Sequence, residues 1–171
     1  MRVLLISLLL SIPSVVSAGL PFGAGSEACD FVTKHGVCVA QTVAPGDKYS
    51  RHDFEVVEAV VLAMADAPSN ILQGLVVIVM DNLGDPNLLG QYVPAYGVIK
   101  VLRYHECIGV SSLAHEFMHA IEYRTKKPGM GVSLGHSDPF YWGGYHKNAI
   151  TQPWGATARS ERVIRELICE Q

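Results

Sequence analysis

Hydrophobic positions recur along this 171-residue chain with several different spacings, and each predicts its own element. An apolar run at 3–10 follows Arg2 and leads through Pro13 to a Val16-Ser17-Ala18 site. That is the layout of a secretory leader, so residues 1–18 are expected to be removed and residues 19–171 to form a single domain. Beyond a small, glycine-rich stretch at 19–28, Phe54, Val57, Val60, Val61 and Met64 recur at helical spacing. Ser50 and Asp53 form a capping box ahead of them, so a helix is expected from about 52 to 66, stopping before Pro68. Residues 75–80 are a continuous, β-branched-rich run bounded by Gly74 and by Asp81-Asn82-Leu83-Gly84, and residues 96–102 read as a second strand in which Lys100 marks a face or edge that sees water. Both predict short strands, separated by the turn chemistry of Asp85-Pro86-Asn87.

Helical spacing returns with Val110, Leu113, Ala114, Phe117, Met118 and Ile121. Ser111 or Ser112 is the expected cap of this second helix. Lys126 and Lys127 suit the negative end of its dipole, and Pro128-Gly129 stops it. Residues 157–169 read as a final helix.

The second helix carries His115-Glu116-Phe117-Met118-His119, an HExxH pentad. Histidines four apart lie one above the other on a helix face, so both imidazoles reach one metal ion while Glu116 stands beside it. The pentad predicts one catalytic Zn2+ ion and hydrolysis of a peptide bond. Glu116 takes a proton from the water that the metal activates and hands it to the leaving amine. Helix, strand, strand and HExxH helix in this order predict an α+β fold with a minimal zincin-like core. Its small mixed sheet packs on the N-terminal helix and the HExxH helix, with a C-terminal helix added. A substrate chain is expected to extend the exposed edge of that sheet.

Zinc needs a third protein ligand if a fourth position is to stay open to water. His136 is the first candidate, because Pro128-Gly129, Gly131 and Gly135 let the chain turn back before it. His115, Glu116, His119, Gly135, His136 and Phe140 resemble the pattern of SprT/Spartan-like metallopeptidases, in which HExxH is followed by a loop and a third histidine in a GHxxxF-type segment. The resemblance covers about 30 residues and implies metal chemistry alone. Gly135, Asp138 and Tyr141 are also similar to the GTxDxxY segment of deuterolysin-like aspzincins. That resemblance implies Asp138 as ligand and Tyr141 as oxyanion donor. Glu161, from the final helix, is a third candidate ligand. Tyr141 and Tyr145 are candidate oxyanion donors, and Glu122 is a candidate acceptor for orienting a ligand. His35, His52 and His105 have no spacing that ties them to the pentad, whereas His146 follows Tyr141, Trp142 and Tyr145 in an aromatic-glycine segment that is a candidate cleft wall or core-packing element.

Composition narrows the setting. The formal net charge is −3 and becomes −4 once Arg2 leaves with the leader, which gives nucleic acid no attraction. No later stretch reaches the roughly 20 apolar residues of a membrane span. The expected protein is therefore secreted, extracellular or periplasmic, with no membrane contact after leader cleavage, and acts on a protein or peptide substrate. Four cysteines in an exported chain predict two disulfides, favoured as Cys29–Cys38 and Cys107–Cys169. An exported toxin or effector with one protein target, and a catalytically silent zinc-stabilised binding module, are the alternative functions. No feature identifies an inhibitor partner.

Overall fold

The computed structural model describes residues 29–103, 107–126, 136, 138–143 and 155–169. The expected leader, the 19–28 stretch, His105, Tyr145 and His146 lie outside them, as do the side chains of Cys107 and Cys169. The Cys29–Cys38 disulfide is present.

The fold is α+β, a five-stranded mixed sheet with helices. In chain order the strands are β1 (Phe31–Val32), β2 (Cys38–Gln41), β3 (Val76–Met80), β4 (Gly90–Val93) and β5 (Val98–Leu102). The helices are α1 (Arg51–Met64), α2 (Cys107–Thr125), a single turn α3 (Pro139–Trp142) and α4 (Ala156–Ile164). Across the sheet the order is β1-β2-β3-β5-β4. β2, β3 and β5 run parallel, while β1 and β4 are antiparallel edges.

Each interior strand buries alternate side chains, so one face of the sheet is the core face. On β2 and its flanks these are Val37, Val39, Gln41 and Val43, and on β3 they are Val77 and Val79. Gln41 can occupy a core position because its amide exchanges two hydrogen bonds with the Tyr49 backbone, at 3.0 and 2.8 Å. Those bonds fix the residue just before the Ser50 cap. There the Ser50 hydroxyl accepts from the Asp53 N–H and the Asp53 carboxylate accepts from the Ser50 N–H, as the capping box predicts.

Several boundaries move from their expected places. β5 starts at Val98 rather than at 96, because Pro94–Tyr96 forms a short 3-10 turn closed by Gly97 in the left-handed region at φ 61°. α2 starts at Cys107, so Ser111 and Ser112 are interior helix residues and not caps. A serine is a weak helix breaker, and the apolar-rich sequence ahead of it continues the turn. The final helix begins at Ala156, one residue early, and widens into a π-turn at Arg165–Cys169.

On α1 the buried stripe is Phe54, Val57, Val61 and Leu62, with Val60 and Met64 only half-buried. Glu58 occupies the middle of that stripe with 0% exposure. Burial raises its carboxyl to about pH 7, and the nearby Thr33 hydroxyl offsets this only in part. A carboxyl raised in the folded state favours folding where it is protonated. The wild type therefore loses stability as pH rises from the unfolded carboxyl value, about 4.5, through about 7. Glu58→Gln is expected to melt above the wild type at pH 8, with the gap closing towards pH 5. Parallel melting curves at both pH values check this.

Candidate metal centre

α2 runs through the core with Leu113, Ala114, Phe117, Met118, Ala120 and Ile121 buried. Packing on several sides leaves its polar residues few directions to point, which is why the HExxH side chains share one pocket. Nε2 of His119 lies 3.2 Å from Nε2 of His115, and Nε2 of His136 lies 3.0 Å from the same atom. The three ring centroids are 4.9, 4.9 and 5.0 Å apart. Among the described residues, this is the one group of histidine, cysteine or carboxylate side chains that can hold a metal ion. A tetrahedral ion about 2.0–2.1 Å from each nitrogen sets N···N separations of roughly 3.3 Å, so the donor set fits.

Electrostatics favour the same use. Burial, then the neighbouring His136, lower the His119 imidazole to about pH 4, so it stays neutral with a lone pair available. Its Nδ1 is buried with no hydrogen-bond partner among the described residues, which leaves Nε2 facing the cluster.

Glu116 is buried beside the ligands, and burial raises its carboxyl to about pH 8 against the pull of the Tyr92 N–H. That N–H belongs to edge strand β4. The Leu102 N–H donates to the Leu89 carbonyl at 2.9 Å, so in the alternating ladder the backbone groups of Gly90 and Tyr92 face away from β5. Gly90 is where Glu116 meets the strand. A Cβ there would lie 2.7 Å from Glu116 Cγ and 2.8 Å from Oε1. Only glycine lets the carboxylate lie against β4.

The other expected site residues are placed as follows. Asp138 is outside the cluster: its carboxylate accepts from the Phe140 N–H at 2.9 Å and pairs with Lys126 at 3.5 Å. Glu161 is not among the three clustered residues, but lines the cleft that adjoins His115 and Glu116. Tyr141 is buried and its hydroxyl is 2.9 Å from Thr125 Oγ1, more than a turn past His119 on α2. Glu122 makes no hydrogen bond to His119 Nδ1; its carboxylate accepts from the Trp142 indole N–H at 2.7 Å. His52 is exposed, and neither it nor His35 joins the cluster.

Trp142, from the aromatic-glycine segment, packs against all three histidine rings. Its ring centroid lies 4.9 Å from that of His115 and 4.4 Å from those of both His119 and His136. A signal existed, since Phe140-Tyr141-Trp142 follows His136 within six residues and such a run must bury against something.

The cleft has a volume of about 340 Å³. It is lined by Asn87, Leu89 and Gly90 in and before β4, by Ser111, Ser112, His115 and Glu116 of α2, and by Glu161 and Arg165. No protein-family model, curated protein or solved structure matches this chain, so the centre stands on its own chemistry.

Gly90→Ala is expected to lower stability by about 1–3 kcal/mol, because the new methyl group meets Glu116 in a packed site. Gly46→Ala, whose Cβ would meet nothing within 4 Å, is the control and stays within about 0.5 kcal/mol. Denaturant unfolding of the pair checks the contact.

Proposed function

We propose that the protein is an exported zinc-dependent peptidase that hydrolyses peptide bonds in protein or peptide substrates. The observation that carries this reading is the convergence of His115, His119 and His136 beside the buried carboxyl of Glu116. Three imidazoles whose ligand atoms lie within 4.8 Å of one another are a donor set that suits zinc, which takes three protein ligands and keeps a fourth position for a non-protein one. Bound zinc would supply a Lewis acid that acidifies water and polarises a carbonyl.

The protein's own residues do the rest. Glu116, as its carboxylate, receives the proton of the attacking water and returns it to the departing amine. The Tyr92 N–H holds that carboxylate on the β4 side of the cluster. An extended substrate lies along β4, pairing with outward backbone groups other than the Tyr92 N–H, which Glu116 takes, and so crosses the cleft next to His115 and Glu116. Its side chains meet Leu89, Asn87, Glu161 and Arg165, which line that cleft. Export is supported by the leader-like residues 1–18 and by the Cys29–Cys38 disulfide.

Glu116→Gln separates binding from chemistry. The variant is expected to keep its zinc and to lose about 10²–10⁴-fold in cleavage of a peptide library. Metal content and cleavage rate are measured on the same preparation. A zinc-loaded variant with wild-type activity contradicts the assignment.

A further inference from the structure

A buried carboxylate outside the HExxH pentad is tied to the metal centre by a continuous set of contacts. Glu122 lies on α2 three residues after His119 and is 1% exposed. Burying a carboxylate is unfavourable unless both of its oxygens are paired, and here both are. Oε2 accepts from the Trp142 indole N–H at 2.7 Å, and Oε1 pairs with the Lys126 ammonium. Lys126 also pairs with Asp138, two residues from His136. One turn of α2 thereby grips the segment carrying the third histidine. Thr125, from the same turn, adds the 2.9 Å contact to the Tyr141 hydroxyl.

The indole is the neighbour common to all three imidazoles, with centroid separations of 4.4 to 4.9 Å. It offers one N–H donor and no lone pair, so it is no metal ligand. What it can do is set the spacing of the rings packed against it. Its own orientation is set by the one hydrogen bond it can donate, and that bond goes to Glu122.

We propose that Glu122 is a positioning residue of the metal centre, holding Trp142 so that the three imidazoles are already spaced for an ion. The proposal rests on the metal reading above. Fixing the donors beforehand removes an ordering cost from metal binding, and loss of such outer partners typically weakens affinity by about 10–100-fold.

The test is a double-mutant cycle on zinc affinity, measured by competition with a chromogenic chelator, with Co2+ absorption spectra as a second readout. Glu122→Met fills the same space without an acceptor, Glu122→Gln keeps an acceptor oxygen for the indole, and Trp142→Phe keeps an aromatic ring without the N–H. Glu122→Met and Trp142→Phe are each expected to bind zinc about 10–100-fold more weakly, with altered Co2+ spectra. Glu122→Gln is expected to stay within about threefold of wild type, and the double variant to lose little more than either single one. A purely structural role would lower the melting temperature of Glu122→Met without producing this rescue and coupling. Should Glu122→Met not fold, Trp142→Phe against Glu122→Gln carries the same comparison. Wild-type affinity in Trp142→Phe, or strictly additive losses, overturns the proposal while leaving the metal centre standing. A wild type that binds no zinc overturns the metal reading and this proposal with it.

Discussion

Three imidazole nitrogens held 3.0 and 3.2 Å apart are the contact around which the molecule is arranged. At this distance an imidazole N–H can donate to a neighbouring ring nitrogen, whereas nitrogens that all present lone pairs repel one another unless a cation lies between them. The scaffold must therefore impose the approach. α2 does so for two of the rings through the four-residue spacing of His115 and His119 on a helix whose apolar faces are buried in the core. The third ring arrives from a separate segment, and Trp142, Tyr141 and Asp138 hold that segment to the last turns of α2. Burial also keeps His119 uncharged, so the scaffold that crowds the rings preserves their ability to bind metal.

The same crowding reaches the sheet. β4 is a short edge strand, and its Gly90 comes close enough to Glu116 that no side chain fits between them. The carboxylate consequently lies between the histidines of α2 and edge strand β4, whose Tyr92 N–H donates to it. The buried carboxyl of Glu116 and the His115 ring thus line one cleft together with Gly90 of β4. Helix, edge strand and third-histidine segment each contribute one part, and none is sufficient alone.

How much of this was legible in the sequence varied with the range of the interaction that decides each feature. α1, β3 and most of α2 were readable because their patterns are local: a capping box, a β-branched run, a helical stripe. The grouping of His136 with His115 and His119 was readable from residue type and the glycines before it. β2 was not recognised, although Val37, Val39, Gln41 and Val43 alternate as a half-buried strand should, with Gln41 disguising the pattern until its bonds to Tyr49 are seen. β4 has almost no signal of its own. Gly90-Gln91-Tyr92-Val93 is short and runs into Pro94, and its strand character comes from pairing with β5. Glu58 and Glu122 look like solvated helix charges in sequence and are buried in the fold, because tertiary packing alone decides which helix faces are covered. The favoured Cys107–Cys169 pairing concerns side chains outside the described residues.

The most direct measurement of the central claim is anomalous diffraction at the zinc edge from crystals of the zinc-loaded protein. One strong peak within bonding distance of Nε2 of His115, His119 and His136, with a non-protein ligand completing the tetrahedron, is the expected result. A zinc peak coordinated elsewhere on the chain, or no peak at the three histidines under saturating zinc, would contradict the account.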